Sequence, residues 1–170
     1  MPVPTRPVAG ASIATNWGTD VHDRVFAPKG CRVTGAGVTM SSTDTTYVVL
    51  PIDVATNDPG GWMNAAGNTI VVPTGAEGLY LLSFTVNSVN GTAGDDNRVV
   101  LWKNTTTQLA VAYAPTAGAT TTTLTGNTVT TLVATDILHL SGVQLGAGGT
   151  QATIAIASLT AVRIGDTWGA

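Results

Sequence analysis

The 170-residue chain predicts an all-β fold, an antiparallel β-sandwich that forms one domain around one core. Charged residues make up only 10% of the chain, whereas it contains 20 glycines and 30 threonines. Threonine and valine favour pleated strands, and glycine supplies the turns between them. Segments that alternate with period two recur along the sequence, which is the pattern of strands rather than of helices.

The clearest of these segments is residues 78–86, Gly-Leu-Tyr-Leu-Leu-Ser-Phe-Thr-Val. One face of this strand carries large apolar side chains, and the other begins with two leucines, Leu79 and Leu81. A strand of this kind has both faces buried. Within one domain, the simplest way to bury the outer face of a sheet is against a copy of itself, so we expect an oligomer.

The other strands follow in chain order and are separated by turn-forming residues. A long loop is predicted at residues 53–68, which contain Asn-Asp-Pro-Gly-Gly and Trp62. Loops of this length cover a core or bind a ligand, and for Trp62 the position that closes one end of the sandwich is favoured over one at a ligand. The remaining strands are predicted at residues 31–40, 45–52, 69–72, 98–103, 109–114, 124–133, 137–144 and 152–164.

The last strand is also apolar on both sides. Strict alternation places Ile154, Ile156, Val162 and Ile164 on the core face. The opposite face then carries small apolar residues, which permit close approach of another layer or another subunit. The predicted subunit interface is therefore Leu79, Tyr80, Leu81, Ala155, Ala157 and Leu159.

Residues 1–30 are predicted to form an N-terminal arm ahead of the β-domain, which spans residues 31–170. Prolines at positions 2, 4 and 7 keep its first part extended, and Asn16 is suited to cap a short helix that ends near Phe26. An apolar arm either packs on its own domain or docks on a partner. The residues predicted to dock are Pro4, Arg6, Pro7, Ile13, Trp17 and Phe26.

Charge and hydropathy exclude several classes of partner. The seven basic residues are scattered and the net charge is −3, so no nucleic-acid partner is expected. No apolar run approaches the roughly 20 residues of a membrane span, and the N-terminus lacks the apolar core of a signal peptide, so we expect synthesis in the cytoplasm. The single cysteine, Cys31, is predicted to be a buried free thiol.

No pattern for catalysis is present, and the chain is predicted not to be an enzyme. The two histidines, His22 and His139, are far apart, and no nucleophile-elbow motif occurs. Cysteine and histidine are too few for a zinc site, and no cofactor is expected. Asp95, Asp96 and Asn97 offer oxygen ligands for calcium, but a solvated turn is favoured because the spacing is not that of an EF-hand. For Trp102, a position in the core is favoured over a sugar site.

Five segments of the chain together match the pattern of a known family. They are residues 70–73 (Ile-Val-Val-Pro), 78–80 (Gly-Leu-Tyr), 99–104 (Val-Val-Leu-Trp-Lys-Asn), 132–140 (Leu-Val-Ala-Thr-Asp-Ile-Leu-His-Leu) and 161–164 (Ala-Val-Arg-Ile). In this order they resemble the C1q and tumour-necrosis-factor family. The resemblance implies a jelly roll with about ten strands that forms a tight homotrimer, its inner sheet packed around the three-fold axis. Two features depart from the family pattern: Thr135 replaces the glycine of an "L-x-x-G-D" turn, and the phenylalanine common in the last strand is missing.

The N-terminal segment contains three short motifs, at residues 7–10 (Pro-Val-Ala-Gly), 17–18 (Trp-Gly) and 21–25 (Val-His-Asp-Arg-Val). Together they resemble the opening of structural proteins in bacteriophages of actinobacteria. It implies a virion protein, which we expect to be a trimeric capsid decoration protein whose arm binds the major capsid protein. The main alternative is a receptor- or glycan-binding module of a tail fibre or baseplate, with residues 53–68 and 115–123 facing the host. A secreted C1q-like ligand binder is a third alternative.

Overall fold

The computed structural model describes residues 29–40, 46–116, 118–146 and 149–165. The described residues form antiparallel strands and one 3₁₀ turn at Ala65–Gly67. The strands are β1 (Gly30–Gly35), β2 (Val48–Val49), β3 (Val54–Asn57), β4 (Met63–Asn64), β5 (Thr69–Val71), β6 (Gly78–Val89), β7 (Asp96–Lys103), β8 (Thr107–Pro115), β9 (Thr122–Leu132), β10 (Ile137–Leu145) and β11 (Thr153–Gly165).

The strands pair into two sheets. Sheet A has the order β3-β1-β11-β6-β9, and sheet B has the order β4-β5-β10-β7-β8, with β2 also paired to β10. From β5 onward, the chain changes sheet at each connection except the hairpin between β7 and β8. This is the connectivity of a jelly roll. The predicted all-β antiparallel sandwich is therefore confirmed.

The core lies between the two sheets and is apolar. On β6, the side chains of Tyr80, Leu82 and Phe84 are at most 2% exposed and belong to the core, as the alternation predicted. Phe84 lies directly over Gly126 of β9, where a Cβ atom would come within 2.5 Å of the phenyl ring. The glycine thus makes room for the aromatic ring in the core.

Residues 53–68 contain regular secondary structure, although the sequence predicted a loop. They contain β3, β4 and the 3₁₀ turn. Trp62 is 2% exposed, and its ring meets that of Tyr80 edge-on at a centroid distance of 5.3 Å. Asp58 holds the segment in place, since its carboxylate accepts hydrogen bonds from the backbone N–H groups of Trp62 and Met63. The position of Trp62 in the core, which the sequence favoured, is confirmed.

A β-bulge changes the orientation of β11. Ile154 lies opposite Ser88 and Ile156 lies opposite Asn87, so Ala155 is an extra residue in the strand. A bulge of one residue reverses the face on which each later side chain lies. The predicted faces of β11 are therefore correct at Ile154 and wrong beyond the bulge.

The reversal exchanges the two sets of side chains on β11. Residues assigned to an outer face are buried in the core, and residues assigned to the core are exposed. Ala157 and Leu159 are 0% exposed and Ala161 is 1% exposed, whereas Ile156, Val162 and Ile164 are 42%, 42% and 52% exposed.

The turn between β9 and β10 contains Thr135, one of the two departures from the C1q and tumour-necrosis-factor pattern that the chain resembles. Thr135 has a φ of 70°, in the left-handed region that glycine adopts without steric cost. Its backbone N–H donates to the carbonyl oxygen of Val72 at 2.9 Å, which ties the turn to the end of β5. Threonine thus occupies a conformation for which glycine is the better residue.

Candidate interaction surfaces

The outer face of sheet A exposes apolar side chains on adjacent strands. Leu81 of β6 is 41% exposed and lies opposite Val162 of β11 on one side and Val129 of β9 on the other. Val162 is 42% exposed and Val129 is 53% exposed. We call these three residues the apolar row. They lie on the side of sheet A that faces away from sheet B.

Other residues extend the outer face of sheet A. Ile164 lies two positions beyond Val162 and is 52% exposed, and Val54 on β3 is 55% exposed. Between the apolar row and Ile156, the face carries small hydroxyl residues at paired positions of β6 and β11, namely Ser83 with Thr160 and Thr85 with Ser158. The charged residue exposed on β1, Arg32, lies beside Thr160. The face combines an apolar end with a hydroxyl-rich middle.

The predicted interface residues divide into two groups. Leu79 and Leu81 lie on the outer face of sheet A, and Ala155 is exposed at the bulge. The other three predicted residues, Tyr80, Ala157 and Leu159, are 0% exposed in the core. Their assignment to a subunit interface is wrong, because a side chain packed between the two sheets cannot reach another subunit.

The outer face of sheet B carries a group of stacked side chains. We call Tyr47, Arg98, Trp102, Tyr113 and His139 the aromatic–arginine group. The guanidinium carbon of Arg98 lies 5.5 Å from the ring centroid of Tyr47 and 5.2 Å from that of Tyr113. Trp102 meets Tyr47 edge-on at 6.1 Å and stacks on His139 at 6.5 Å with an interplanar angle of 13°.

Pairing of three strands assembles most of this group. Trp102 of β7 lies opposite His139 of β10, and Arg98 of β7 lies opposite Tyr113 of β8. Tyr47 immediately precedes β2, and β2 pairs with β10. Sequence analysis considered Trp102 and His139 separately and did not identify the group. Alternation along β7 places Arg98 and Trp102 on one face, but only the pairing of the strands brings the other three residues beside them.

Hydrogen bonds hold part of the group in place. The indole Nε1–H of Trp102 donates to Ser141 Oγ at 2.6 Å, and Nη2 of Arg98 donates to Gln108 Oε1 at 3.3 Å. The Nε atom of Arg98 is shielded from solvent and has no hydrogen-bond partner among the described residues. Burial lowers the pKa of His139, so its imidazole is neutral near pH 7.

The three oxygen-bearing residues considered for calcium do not converge. Asp95 accepts a hydrogen bond from Gln144 Nε2 at 2.8 Å, whereas Asn97 is fully buried and donates to Ser88 Oγ at 2.9 Å. Asp96 is exposed on the opposite side of β7 from Asn97. Across the part of the chain that the structure describes, no group of three or more His, Cys, Asp or Glu side chains could hold a metal ion.

Asp136 organises the turn between β9 and β10 and is 4% exposed. Its carboxylate accepts hydrogen bonds from Val133 N–H at 2.9 Å and from Asn104 Nδ2 at 2.7 Å, and it lies 3.4 Å from Lys103 Nζ. Burial by itself would raise the pKa of Asp136, but these hydrogen bonds and the lysine charge outweigh it and hold the pKa below 3.8.

Cys31 is a free, buried cysteine, as predicted. Burial raises the pKa of its thiol to about 12, and the nearby charge of Asp58 acts in the same direction. The thiol is therefore protonated at neutral pH and is a poor nucleophile or metal ligand. It lies on β1 of sheet A and belongs to the core.

The predicted docking residues of the arm lie outside the described residues. These are Pro4, Arg6, Pro7, Ile13, Trp17 and Phe26. Within the described ranges, no helix has the length and hydropathy that crossing a membrane requires.

Similarity to known proteins is confined to structure. No protein-family model and no curated protein sequence matches the chain. The fold is similar to the globular domain of zebrafish complement 1qA protein, with a TM-score of 0.58 and 15% identity over 82% of this chain and 99% of that one.

Two further similar structures belong to tumour-necrosis-factor-type proteins. For Eiger TNF from S. frugiperda, the TM-score is 0.51 with 13% identity over 82% of this chain and 96% of that one. For murine APRIL, the TM-score is 0.52 with 14% identity over 78% and 98%. The resemblance to the C1q and tumour-necrosis-factor fold is thereby confirmed at the level of the jelly roll.

Proposed function

We propose that this chain forms a homotrimer through the outer face of sheet A and that the trimer decorates the outside of a phage capsid. The observation that carries the trimer is the apolar row, with Ile164 beside it. Contiguous exposed apolar residues on a sheet mark an interaction surface. In a symmetric homo-oligomer, other copies of the same chain cover this surface, so no second protein is required.

The apolar surface is large enough to matter energetically. Burying a whole leucine, isoleucine or valine side chain stabilises by roughly 1.5–3 kcal/mol, and each of these residues is still about half exposed. Each therefore contributes about 1 kcal/mol if a neighbouring subunit covers it. Leu81, Val129, Val162, Ile156 and Ile164 together would then contribute about 5 kcal/mol per subunit before the cost of association.

Attachment to a capsid is assigned to residues 1–26. This segment precedes β1, is rich in proline and apolar residues, and resembles the opening of phage structural proteins. In a trimer, three such arms would bind neighbouring copies of the major capsid protein. Linked weak contacts gain from a high effective concentration, so three arms together bind far more tightly than one. The protein would be made in the host cytoplasm and act on the virion surface.

Deleting residues 1–26 tests the attachment. We expect the truncated protein to remain a folded trimer by light scattering and circular dichroism, and to lose association with capsids in a sedimentation assay. Alanine at Trp17 and Phe26 in the full-length chain provides a milder second variant. Undiminished association of both variants with capsids would refute the role of the arm.

The second candidate function is a receptor- or glycan-binding module of a tail fibre or baseplate. Residues 53–68 and 115–123 are the segments expected to face the host, but the first of them does not offer Trp62 to a ligand because Trp62 is 2% exposed in the core. The observation that favours binding is instead the aromatic–arginine group on sheet B. Cell-attachment assays with purified trimer and with a Trp102→Ala variant would test this function, and equal attachment by the two proteins would argue against it.

A further inference from the structure

The aromatic–arginine group contains a positive charge without a carboxylate partner. Lys103, which lies on the same strand as Arg98, forms an ion pair with Asp136. Among the described residues, no carboxylate pairs with Arg98. The guanidinium is instead held between Tyr47 and Tyr113 and donates to the neutral amide oxygen of Gln108. Its charge is thus free to form the paired hydrogen bonds that arginine makes with carboxylates.

The Nε atom of Arg98 supplies an independent indication of a ligand. It is shielded from solvent and lacks an acceptor among the residues that the structure describes. A buried donor left without a partner is energetically costly, and such atoms in native proteins call for an explanation such as a bound group. An acceptor that displaced the groups shielding Nε would satisfy this donor and add a charge-assisted hydrogen bond.

The rings beside Arg98 determine what kind of acid fits. Tyr113 is 59% exposed, and Trp102 and His139 stack on each other while remaining partly exposed. The group extends across β10, β7 and β8 and the residue before β2, a width of roughly 10–15 Å at the usual strand spacing. Aromatic faces beside a polar group suit ligands with both apolar C–H surfaces and polar substituents, and a sugar ring has both.

We propose that the aromatic–arginine group binds a carboxylated sugar. Arg98 pairs with the carboxylate, and the exposed ring of Tyr113 and the partly exposed ring of Trp102 pack against the C–H faces of the sugar. A nucleic acid is disfavoured because the chain carries a net charge of −3 and its basic residues are scattered. A purely apolar partner is disfavoured because it would bury the charge of Arg98 without a counter-charge.

Titration of the full-length protein with matched sugars tests this proposal. The probes are methyl glucuronide and methyl glucoside, which differ in having a carboxylate or a hydroxymethyl group, together with sodium acetate. The readout is the NMR signal of the Trp102 indole N–H, assigned with a Trp102→Phe variant. We expect a saturable shift with the glucuronide and binding about tenfold weaker or more with the glucoside and with acetate, the scale of one charge-assisted hydrogen bond.

Variants separate the ligand site from the trimer. Arg98→Gln should reduce glucuronide binding to the level of the glucoside, whereas Arg32→Gln, which removes an exposed arginine from sheet A, should leave it unchanged. Tyr113→Ala keeps the charge and should weaken both sugars. Leu81→Asp should disrupt the trimer without changing the affinity of each site, so failure of the trimer proposal is distinguishable from failure of this one. Thermal unfolding checks that each variant is folded.

Three results would overturn the proposal. Absence of a saturable shift with the glucuronide up to its solubility limit would show that the group does not bind this sugar. Equal affinity for the glucuronide and the glucoside would show that the carboxylate is not recognised. Acetate that binds as tightly as the glucuronide would show an anion site without sugar recognition.

Discussion

Leu81→Asp is the sharpest test of the proposed trimer. Leu81 is the centre of the apolar row, between Val129 and Val162, and is 41% exposed. Because the position is already partly exposed to water, an aspartate there should leave the folded subunit nearly as stable as before. Its effect should fall on association, where the carboxylate would be covered by a neighbouring subunit.

The magnitude follows from two contributions. Loss of the remaining leucine burial costs about 1 kcal/mol per subunit. A carboxylate buried without a partner costs about 3 kcal/mol more. Three subunits together lose about 12 kcal/mol, which lowers the trimer association constant by a factor on the order of 10⁸ at about 1.4 kcal/mol per tenfold change. Leu81→Asn, which carries no charge, should lose markedly less.

Light scattering after size-exclusion chromatography measures the outcome. The wild-type protein should have about three times the subunit mass of 17.2 kDa, and Leu81→Asp should have the mass of one subunit with an unchanged circular dichroism spectrum. Val49→Asp is the control, because Val49 is 44% exposed but lies on β2 of sheet B. A monomeric wild-type protein, or a Leu81→Asp variant that stays trimeric, would refute the proposed use of this face.

Four further outcomes follow from the fold. The pKa of Asp136 lies below 3.8 in the folded chain, so its contribution to stability is present above about pH 4 and is lost as pH falls through that lowered pKa. Asp136→Asn should therefore be about 1–3 kcal/mol less stable than wild type at pH 7. In chemical denaturation, the stability of this variant should depend less on pH in the acid range than that of the wild-type protein. The thiol of Cys31, with a pKa of about 12, should resist iodoacetamide at pH 8 until denaturant is added, and rapid labelling of the native protein would contradict its burial. Trp62→Ala should lower the free energy of unfolding by about 3–5 kcal/mol because the indole packs on Tyr80, and a melting temperature equal to wild type would place Trp62 outside the core. Thr135→Gly should stabilise by about 1 kcal/mol because the turn requires a φ of 70°, and destabilisation in urea would show that the threonine side chain offsets its strain.

The long strands could be predicted because their information is local. Residues 98–103 and 137–144 were predicted as strands and match β7 and β10 within two residues at each end. Alternation of apolar and polar side chains reports which face of a sheet is buried, and it needs no knowledge of the rest of the chain. The same reasoning placed Leu82 and Phe84 towards the core and Leu81 away from it.

Short strands could not be predicted in this way. Residues 45–52 were predicted as one strand, but within the described part of this range, residues 46–52, only Val48–Val49 pairs as β2. Residues 53–68 were predicted as a loop although they contain β3, whose four residues are all exposed. These strands exist because the edge of an adjacent strand offers hydrogen bonds to the backbone, and their side chains contribute little.

Sequence alone determined that this chain folds as an antiparallel β-sandwich and that β6 carries apolar residues on both faces, because alternation along one strand is a local property. Only the tertiary structure decided which face of β11 points outward, since the bulge residue Ala155 reverses the side chains that follow it as far as Arg163. It also brought Tyr47, Arg98, Trp102, Tyr113 and His139 together. Strand register and bulges depend on hydrogen bonds between distant segments, and these appear only when the strands have paired.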